Sequence, residues 1–339
     1  MQTLSEGSRI CIQRQFRLGG GVAPKTIRLR GQGLIEYVLI AAVIGLVVVF
    51  AGPQVSGAIR NQFNQVSTTL DSGTAGGIGG GASGGSTGAD SATVQAAVAK
   101  DARDWTLDEQ KAVAEDIAAK GEASPAYAKA MSAMDAGTTW SVKLTNGETI
   151  EYRIIGINHD DLADGSGKAG LTFLTTLKGI RSRMNATKNN AGGWEKSELR
   201  QKTNSGEIWN LMPSDFQTKV KSVRKLTNNV GGGSANKNAT VTATSDKLFL
   251  LSYSEIVHTS RWASDYPWTS SEGTQYEAFK SKVSNNYSGN AYQRVGGWWW
   301  ERSVYPDYST SFLLALPGSD ASYDGGASNS YCVCPAWCF

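Results

Sequence analysis

Side chains able to do chemistry are sparse in this chain, and they do not converge on one motif. Histidine occurs twice, at 159 and 258. His159-Asp160-Asp161 holds the donors of a metal or acid–base cluster, but it follows the apolar run Ile154–Ile157 and reads as a polar turn at a strand end. His258 comes after the apolar run Leu248–Ser252 and reads as a packing or capping residue. Any serine could be recruited into a Ser/His/Asp triad, yet no nucleophile elbow singles one out. Of the four cysteines, Cys11 stands near the start and Cys332, Cys334 and Cys338 crowd the last eight residues. The last three are spaced too tightly for a usual zinc site and have no histidine nearby. The expectation is a local disulfide between two of them after export, with the third buried or paired to another chain. Gly165-Ser-Gly and Gly231-Gly-Gly-Ser lack the preceding strand and the Lys-Ser/Thr ending of a phosphate loop, so both read as ordinary loops. No catalytic residue, metal or cofactor is assigned, and no enzymatic activity is expected.

Recognition chemistry is better supplied. Tyr305, Asp307, Tyr308, Ser309, Asp320, Ser322, Tyr323, Asp324, Ser328, Asn329 and Tyr331 flank and fill the loop between two apolar strands near the C-terminus. Tyrosine offers rigid amphipathic area, and Ser, Asn and Asp offer adaptable hydrogen bonds; binding loops of antibodies use the same set. An ordinary polar surface loop has a similar composition. Trp298, Trp299 and Trp300 stand just upstream and could supply anchors, with one or more of them in the core.

These residues must be carried by something. The chain is 339 residues long with a formal net charge of +3. Residues 1–31 hold six Arg or Lys against Glu6 alone, a surplus of five, so the remainder carries −2. A body without a basic footprint is not a nucleic-acid binder. Leu34–Ala51 is an apolar run interrupted by Glu36 and Tyr37, long enough to cross the hydrocarbon core roughly once. Its basic flank keeps the N-terminus cytoplasmic and places everything after the run outside. A helical stripe of Val55, Ile59, Phe63, Val66 and Leu70 extends it. Ser72–Ala92 then holds nine glycines in 21 positions, a flexible tether with a reach of about 25 Å.

Gly31-Gln32-Gly-Leu-Ile-Glu36-Tyr37 followed by the apolar stretch resembles the start of Flp/Tad-type type IV pilins, over roughly residues 25–60. The resemblance implies cleavage after Gly31 by a prepilin peptidase, Gln32 as the new N-terminus, and Glu36 at the fifth mature position. There its carboxylate would neutralise the α-amino group of a neighbouring subunit in the apolar filament core, beside Tyr37. A plain signal anchor with a snorkelling glutamate is the alternative reading of the same residues.

The head reads as α+β. Thr106-Leu-Asp-Glu109 is a capping box opening one helix, and Ser124-Pro125 predicts the N-cap of a second. Trp140–Leu144, Asn146-Gly147 and Thr149–Ile157 predict a hairpin. Short helices are expected over Gly193–Arg200 and from Ser214, and strands at Leu248–Ser252 and Phe312–Leu316. The expected divisions are a leader (1–31), an apolar helix (32–71), a linker (72–92), a helical segment (93–137) and a recognition domain (138–339).

Gly193-Trp194, Ser197, Leu199-Arg200, Thr244–Ser252, Trp299-Trp300-Glu301-Arg302-Ser303 and Pro335-Ala336-Trp337 occur in the order of an extracellular bacterial domain that resembles the C-type-lectin-like fold. That fold is seen in formylglycine-generating enzymes and in the variable proteins diversified by retroelements. The resemblance covers roughly residues 138–339 and departs from the pattern at Glu301, where an apolar residue is expected, and in the terminal cysteines. It implies that the C-terminal Tyr/Ser/Asp stretch is the ligand-binding face, for a surface protein or glycan. The expected molecule is a pilin-like surface protein, a minor or tip subunit. Its expected location is a single-pass inner or cytoplasmic membrane before assembly and the cell surface afterwards. The alternative is a membrane-anchored extracellular enzyme or binding module that does not assemble.

Overall fold

Three helices lead the part of the chain described by the computed structural model, which comprises residues 91–176, 179–280, 282–285, 297–316 and 321–339. All of these lie in one unit, Gly85–Phe339. The leader, the apolar segment with Gly31, Gln32, Glu36 and Tyr37, and the linker up to residue 90 fall outside the described residues. Among the described residues no helix is long and apolar enough to cross a membrane.

Helix α1 spans Ser91–Ala99. Helix α2, Leu107–Lys120, starts at the predicted capping box: the Glu109 N–H donates to Thr106 Oγ1 at 3.3 Å and the Thr106 N–H donates to Glu109 Oε2 at 2.7 Å. Asp108 and Glu109 in its first turn and Lys120 in its last complement the helix dipole. Helix α3 spans Tyr127–Ala136 and ends at Gly137, whose φ of 63° is the left-handed cap that glycine adopts freely. Ser124 is not the cap of α3, contrary to expectation. Its hydroxyl donates to Asp116 Oδ2 at 2.6 Å, so it ties the turn back to α2 and the helix begins later.

The predicted hairpin forms as β1 (Thr139–Lys143) and β2 (Thr149–Ile157), turning at Gly147 with φ 91°. It is followed by β3 (Leu171–Thr175), β4 (Arg181–Ser182), α4 (Glu198–Asn204), α5 (Glu207–Leu211), α6 (Ser214–Gln217), β5 (Val223–Asn228), β6 (Val241–Asp246) and α7 (Tyr253–Ile256). The C-terminal part supplies β7 (Trp299–Val304), β8 (Ser311–Ala315), β9 (Tyr323–Gly326), β10 (Tyr331–Cys332) and β11 (Ala336–Cys338). The strands make a four-stranded antiparallel sheet in the order β1-β2-β3-β11, a five-stranded sheet β4-β10-β7-β8-β9, and the hairpin β5-β6. The mixed helices and sheets are the α+β architecture expected. The Leu248–Ser252 run is buried but pairs only through a single bridge, Phe249 with Ala336. It is therefore not a strand, and the carbonyl of Leu250 is taken by a guanidinium instead.

The sheet and the leading helices share a core. Trp337 of the terminal Pro-Ala-Trp run packs against Tyr152 and Phe216, with ring centroids 4.9 Å away in each case. Trp140 stacks on Trp105 and donates its indole N–H to the Ala102 carbonyl. Residues 93–137 thus close one side of the same fold as 138–339. Helix α2 rests directly on backbone at Gly170, where a Cβ would lie 1.8 Å from the Ala114 carbonyl oxygen. Gly170→Ala is expected to cost about 2–3 kcal/mol by forcing helix and sheet apart. Gly179→Ala, whose new methyl would meet only Ile150 Cγ2 at 3.4 Å, should cost much less. Urea midpoints of the two variants check this ordering.

Candidate functional site

Strand β7 organises the C-terminal half. Its pairing with β8 shifts register between Trp300 and Val304, so Glu301, Arg302 and Ser303 leave the regular ladder. Irregularities of this kind re-aim side chains. The Arg302 N–H bonds to the Leu251 carbonyl, and its guanidinium turns into the core, where it is completely buried. Glu301 is buried as well, although an apolar residue is expected at that position.

The guanidinium is the hub of a buried charged cluster. It donates to both oxygens of Glu255, at 2.5 and 2.9 Å, and to the carbonyls of Leu226, Leu250 and Glu272. Glu255 also receives Lys225 Nζ at 2.5 Å, and the same ammonium lies 2.6 Å from Asp160 Oδ1. Tyr276 reaches Asp160 because residue 156 is glycine: a Cβ there would lie 2.7 Å from the tyrosine ring. Burial pushes the Asp160 carboxyl up, but the Lys225 ammonium outweighs it and holds the group well below the usual carboxylate range. Burial opposes ionisation of Glu255 too, and the Arg302 and Lys225 cations reverse it, leaving that carboxyl lowered. Glu272, whose Oε1 accepts the Asn228 N–H at 2.7 Å and whose Oε2 bonds the Ser303 hydroxyl, behaves oppositely. With two cations already matched by Asp160 and Glu255, burial pushes Glu272 up to about 7.

Between about 4.5, the usual carboxylate value, and 7, folding takes up a proton at Glu272, so its contribution is fully present at low pH and is lost as pH rises through 7. The loss amounts to about 3 kcal/mol. Glu272→Gln keeps an oxygen to accept the Asn228 N–H and places an amide that can donate to the Ser303 hydroxyl, with no titrating proton. Urea unfolding at pH 5 and pH 8 should therefore show a fall in stability for the natural chain and a much smaller one for the variant.

The outer end of β7 carries the aromatic residues of the expected binding stretch. Trp298 packs edge-on to Tyr323 at 4.9 Å and stacks near Tyr331 at 6.0 Å, and it remains 40% exposed. Past the other end of β7, Tyr305 stacks on Tyr308 at 5.0 Å and meets Trp262 at 5.6 Å, while the Arg261 guanidinium lies over Trp262. Arg261 also donates to the Ser322 hydroxyl at 3.2 Å, which links the Tyr305–Tyr308 group to the chain entering β9. Tyr308 is 53% exposed and Tyr323 is 43% exposed, high for side chains of this size. Asp307 accepts the Tyr266 hydroxyl at 2.9 Å and is itself exposed, as are Ser309, Asp324 and Asn329. Burial raises the Tyr305 hydroxyl, with Asp307 and Asp324 adding to it against Arg261, so the phenol stays a donor.

The expected site residues thus lie on three pieces of structure, the β7–β8 turn, strand β9 and the turn after it, not on a single loop. Ser322 differs from expectation: it is buried, and its hydroxyl serves Arg261. Asp320 lies outside the described residues. Sequence reasoning missed Arg261, Trp262 and Tyr266. The density of aromatic residues between Tyr253 and Trp268 was the available signal, but nothing local placed it beside Tyr305.

The β7–β8 turn is held from behind. Buried Asn190 donates Nδ2 to the carbonyls of Tyr308 and Ser311, its N–H bonds the Ser309 carbonyl, and its Oδ1 accepts the Gly232 N–H. Gly232 sits so close to the turn that a Cβ would lie 2.1 Å from the Tyr305 carbonyl oxygen. Asn228 in turn fixes the approach to Gly232 by accepting the N–H groups of Val230 and Gly231.

The remaining candidates fall elsewhere. His159 stacks on Tyr276 at 4.0 Å, and its Nδ1 lies 3.1 Å from Glu277 Oε2. Burial would raise Glu277, but the bonds from His159 and Lys280 bring it down to about 2. The neighbouring Asp160 does not sit in the polar turn as expected; it is buried because its carboxylate has Lys225 as partner. His258, expected to pack or cap, is exposed and lines a cavity of about 380 Å³ with Ser260, Thr269, Gln275 and Lys280. Cys332, Cys334 and Cys338 are buried free thiols, so the expected disulfide is not formed. Their surroundings separate them: Cys332 accepts from Arg181 at 3.7 Å, whereas Cys338 lies on the other sheet against Thr172 at 3.3 Å and Asp160 at 3.5 Å. Burial raises both Cys334 and Cys338, which keeps them protonated and unreactive. Among the described residues no three His, Cys, Asp or Glu side chains are grouped to hold a metal.

No curated protein and no solved structure matches the chain. A family described as "Domain of unknown function (DUF6273)" matches residues 169–338, half of the chain, from the edge of β3 to the end of β11. The span takes in Arg302, Glu255, Lys225 and both exposed aromatic groups, one at each end of β7, and the chain belongs to the DUF6273 family.

Proposed function

We propose that this protein is a cell-surface recognition protein whose Gly85–Phe339 unit binds a macromolecular ligand, protein or glycan, through a surface running from Trp298 and Tyr323 at one end of β7 to Tyr305, Asp307, Tyr308 and Ser309 past the other, with Asp324 and Asn329. One observation carries the reading: three large aromatic side chains stand exposed on segments whose backbones are fixed by Asn190, Gly232 and the β7–β8–β9 ladder. A rigid frame lowers the ordering cost of binding, and exposed aromatics on such a frame are the usual centres of binding energy. The resemblance to C-type-lectin-like domains supports the same face. Diversification of the C-terminal stretch would be consistent with it.

The N-terminal pattern supports display as a pilin-like subunit, with a prepilin peptidase and other pilin subunits as partners and the membrane as the site before assembly. Mass spectrometry of the protein isolated from its native envelope tests this part. A mature N-terminus at Gln32 is expected. An intact leader, or a cut after Ala51, would leave a tethered or secreted binding domain in place of the pilin.

A further inference from the structure

Lys225, Asp160 and Glu255 have a chemistry available to them that recognition does not use. All three side chains are almost fully buried, at 2–3% exposure. Lys225 Nζ touches Asp160 Oδ1 at 2.6 Å and Glu255 Oε1 at 2.5 Å, and it lies 4.3 Å from the centre of the Phe249 ring. A nitrogen at that distance from a carboxylate oxygen is about 3–3.5 Å from the carboxyl carbon, the range of a near-attack geometry. The two carboxylates are not equivalent. Glu255 is gripped on both oxygens by Arg302, whereas Asp160 accepts neutral donors, the Tyr276 hydroxyl at 2.9–3.0 Å and the Thr172 hydroxyl at 2.6 Å. Those donors are placed to stabilise an oxyanion on Asp160.

We propose that Lys225 and Asp160 condense to an intramolecular amide, with Glu255 moving the protons. Lys225 and Asp160 rest as an ion pair, each holding the other in its charged form, so the reaction begins with an uphill transfer of one proton from the ammonium to the Asp160 carboxylate, which makes the condensation slow. The amine nitrogen attacks the Asp160 carboxyl carbon, forming the C–N bond and placing negative charge on the oxygen held by Tyr276. Glu255 accepts a proton from the attacking nitrogen and returns it to the Asp160 hydroxyl, which departs as water as the C=O bond re-forms. The balance is one ammonium and one carboxylate consumed, one amide and one water produced, and Glu255 regenerated beside Arg302. No oxidant or co-reactant is needed. Fixed proximity in a water-poor site favours the step and protects its product. The amide would bolt the turn after β2 to strand β5, a covalent tie between two parts of the fold.

The test is tryptic mapping of the purified, folded full-length chain. Trypsin cannot cut after an acylated lysine, so the expected product is peptide 154–168 joined to peptide 225–237, lighter by one water than the two separately. Asp160→Asn should yield the same joined product by loss of ammonia, and Lys225→Met should abolish it. Glu255→Gln, where circular dichroism shows a folded chain, should lose most of the link. Recovery of 154–168 as a linear peptide, with cleavage after Lys225, from the folded natural chain overturns the proposal. An undiminished link in folded Glu255→Gln overturns the role of Glu255.

Discussion

Replacing Arg302 by methionine is expected to lower the thermal midpoint of the head by about 10 °C or more, or to prevent folding at 37 °C. Methionine fills much of the same volume, so the effect reports charge and hydrogen bonding more than a void. The substitution takes both guanidinium bonds from Glu255 and strips donors from the carbonyls of Leu226, Leu250 and Glu272, all in a region closed to water. Breaking a buried ion pair from one side costs about 3–5 kcal/mol, a large part of the 5–15 kcal/mol that typically separates folded from unfolded chains. Arg302→Lys should recover little, because one ammonium cannot reproduce a fork that reaches β5, α7, Leu250 and Glu272 together. Calorimetry or circular dichroism melts of both variants check this. A midpoint within a few degrees of the natural chain would show that the charged cluster is ornamental to stability.

The opposite pattern is expected on the aromatic face. Trp298→Ala, Tyr308→Ala and Tyr323→Ala combined should reduce ligand binding at least about 100-fold, since each exposed anchor is worth roughly 1–2 kcal/mol or more in a working interface. The same triple variant should keep its fold, with a midpoint only a few degrees lower, because these side chains are 40–53% exposed and contact mainly one another and Tyr305 or Tyr331. Asn190 and Gly232, which hold the turn from the protein side, are untouched by it. Binding is measured by biolayer interferometry once a ligand is in hand.

How far the sequence could be read depended on the range of the interaction that fixed each piece. The α2 capping box and the Asn146-Gly147 hairpin are set by residues within a few positions of one another, and both formed as expected. Ser124 and the Leu248–Ser252 run carry equally good local signals but were decided at a distance, by Asp116 in one case and by Arg302 and Ala336 in the other. The exposed tyrosines and aspartates were visible as composition, while their division among a turn, a strand and a second turn was not. Composition also did not distinguish Ser322, buried beneath Arg261, from its exposed neighbours. The charged cluster was illegible for a physical reason: Asp160, Lys225, Glu255, Glu272 and Arg302 sit on separate elements, and in a sequence each looks like an ordinary surface charge. Arg302 meets them from β7, a strand buried along its whole length whose ladder with β8 shifts register at this point.

Recognition of a surface ligand by Trp298, Tyr308 and Tyr323 is what we propose for this protein. Its most direct test is to apply the full-length protein and the triple alanine variant, side by side and at equal folded concentration, to arrays of glycans and of purified cell-surface proteins. A discrete set of chemically related ligands is expected for the natural chain, with loss of that whole set for the variant. Binding retained by the folded variant would contradict it, and so would a natural chain that binds nothing on either array.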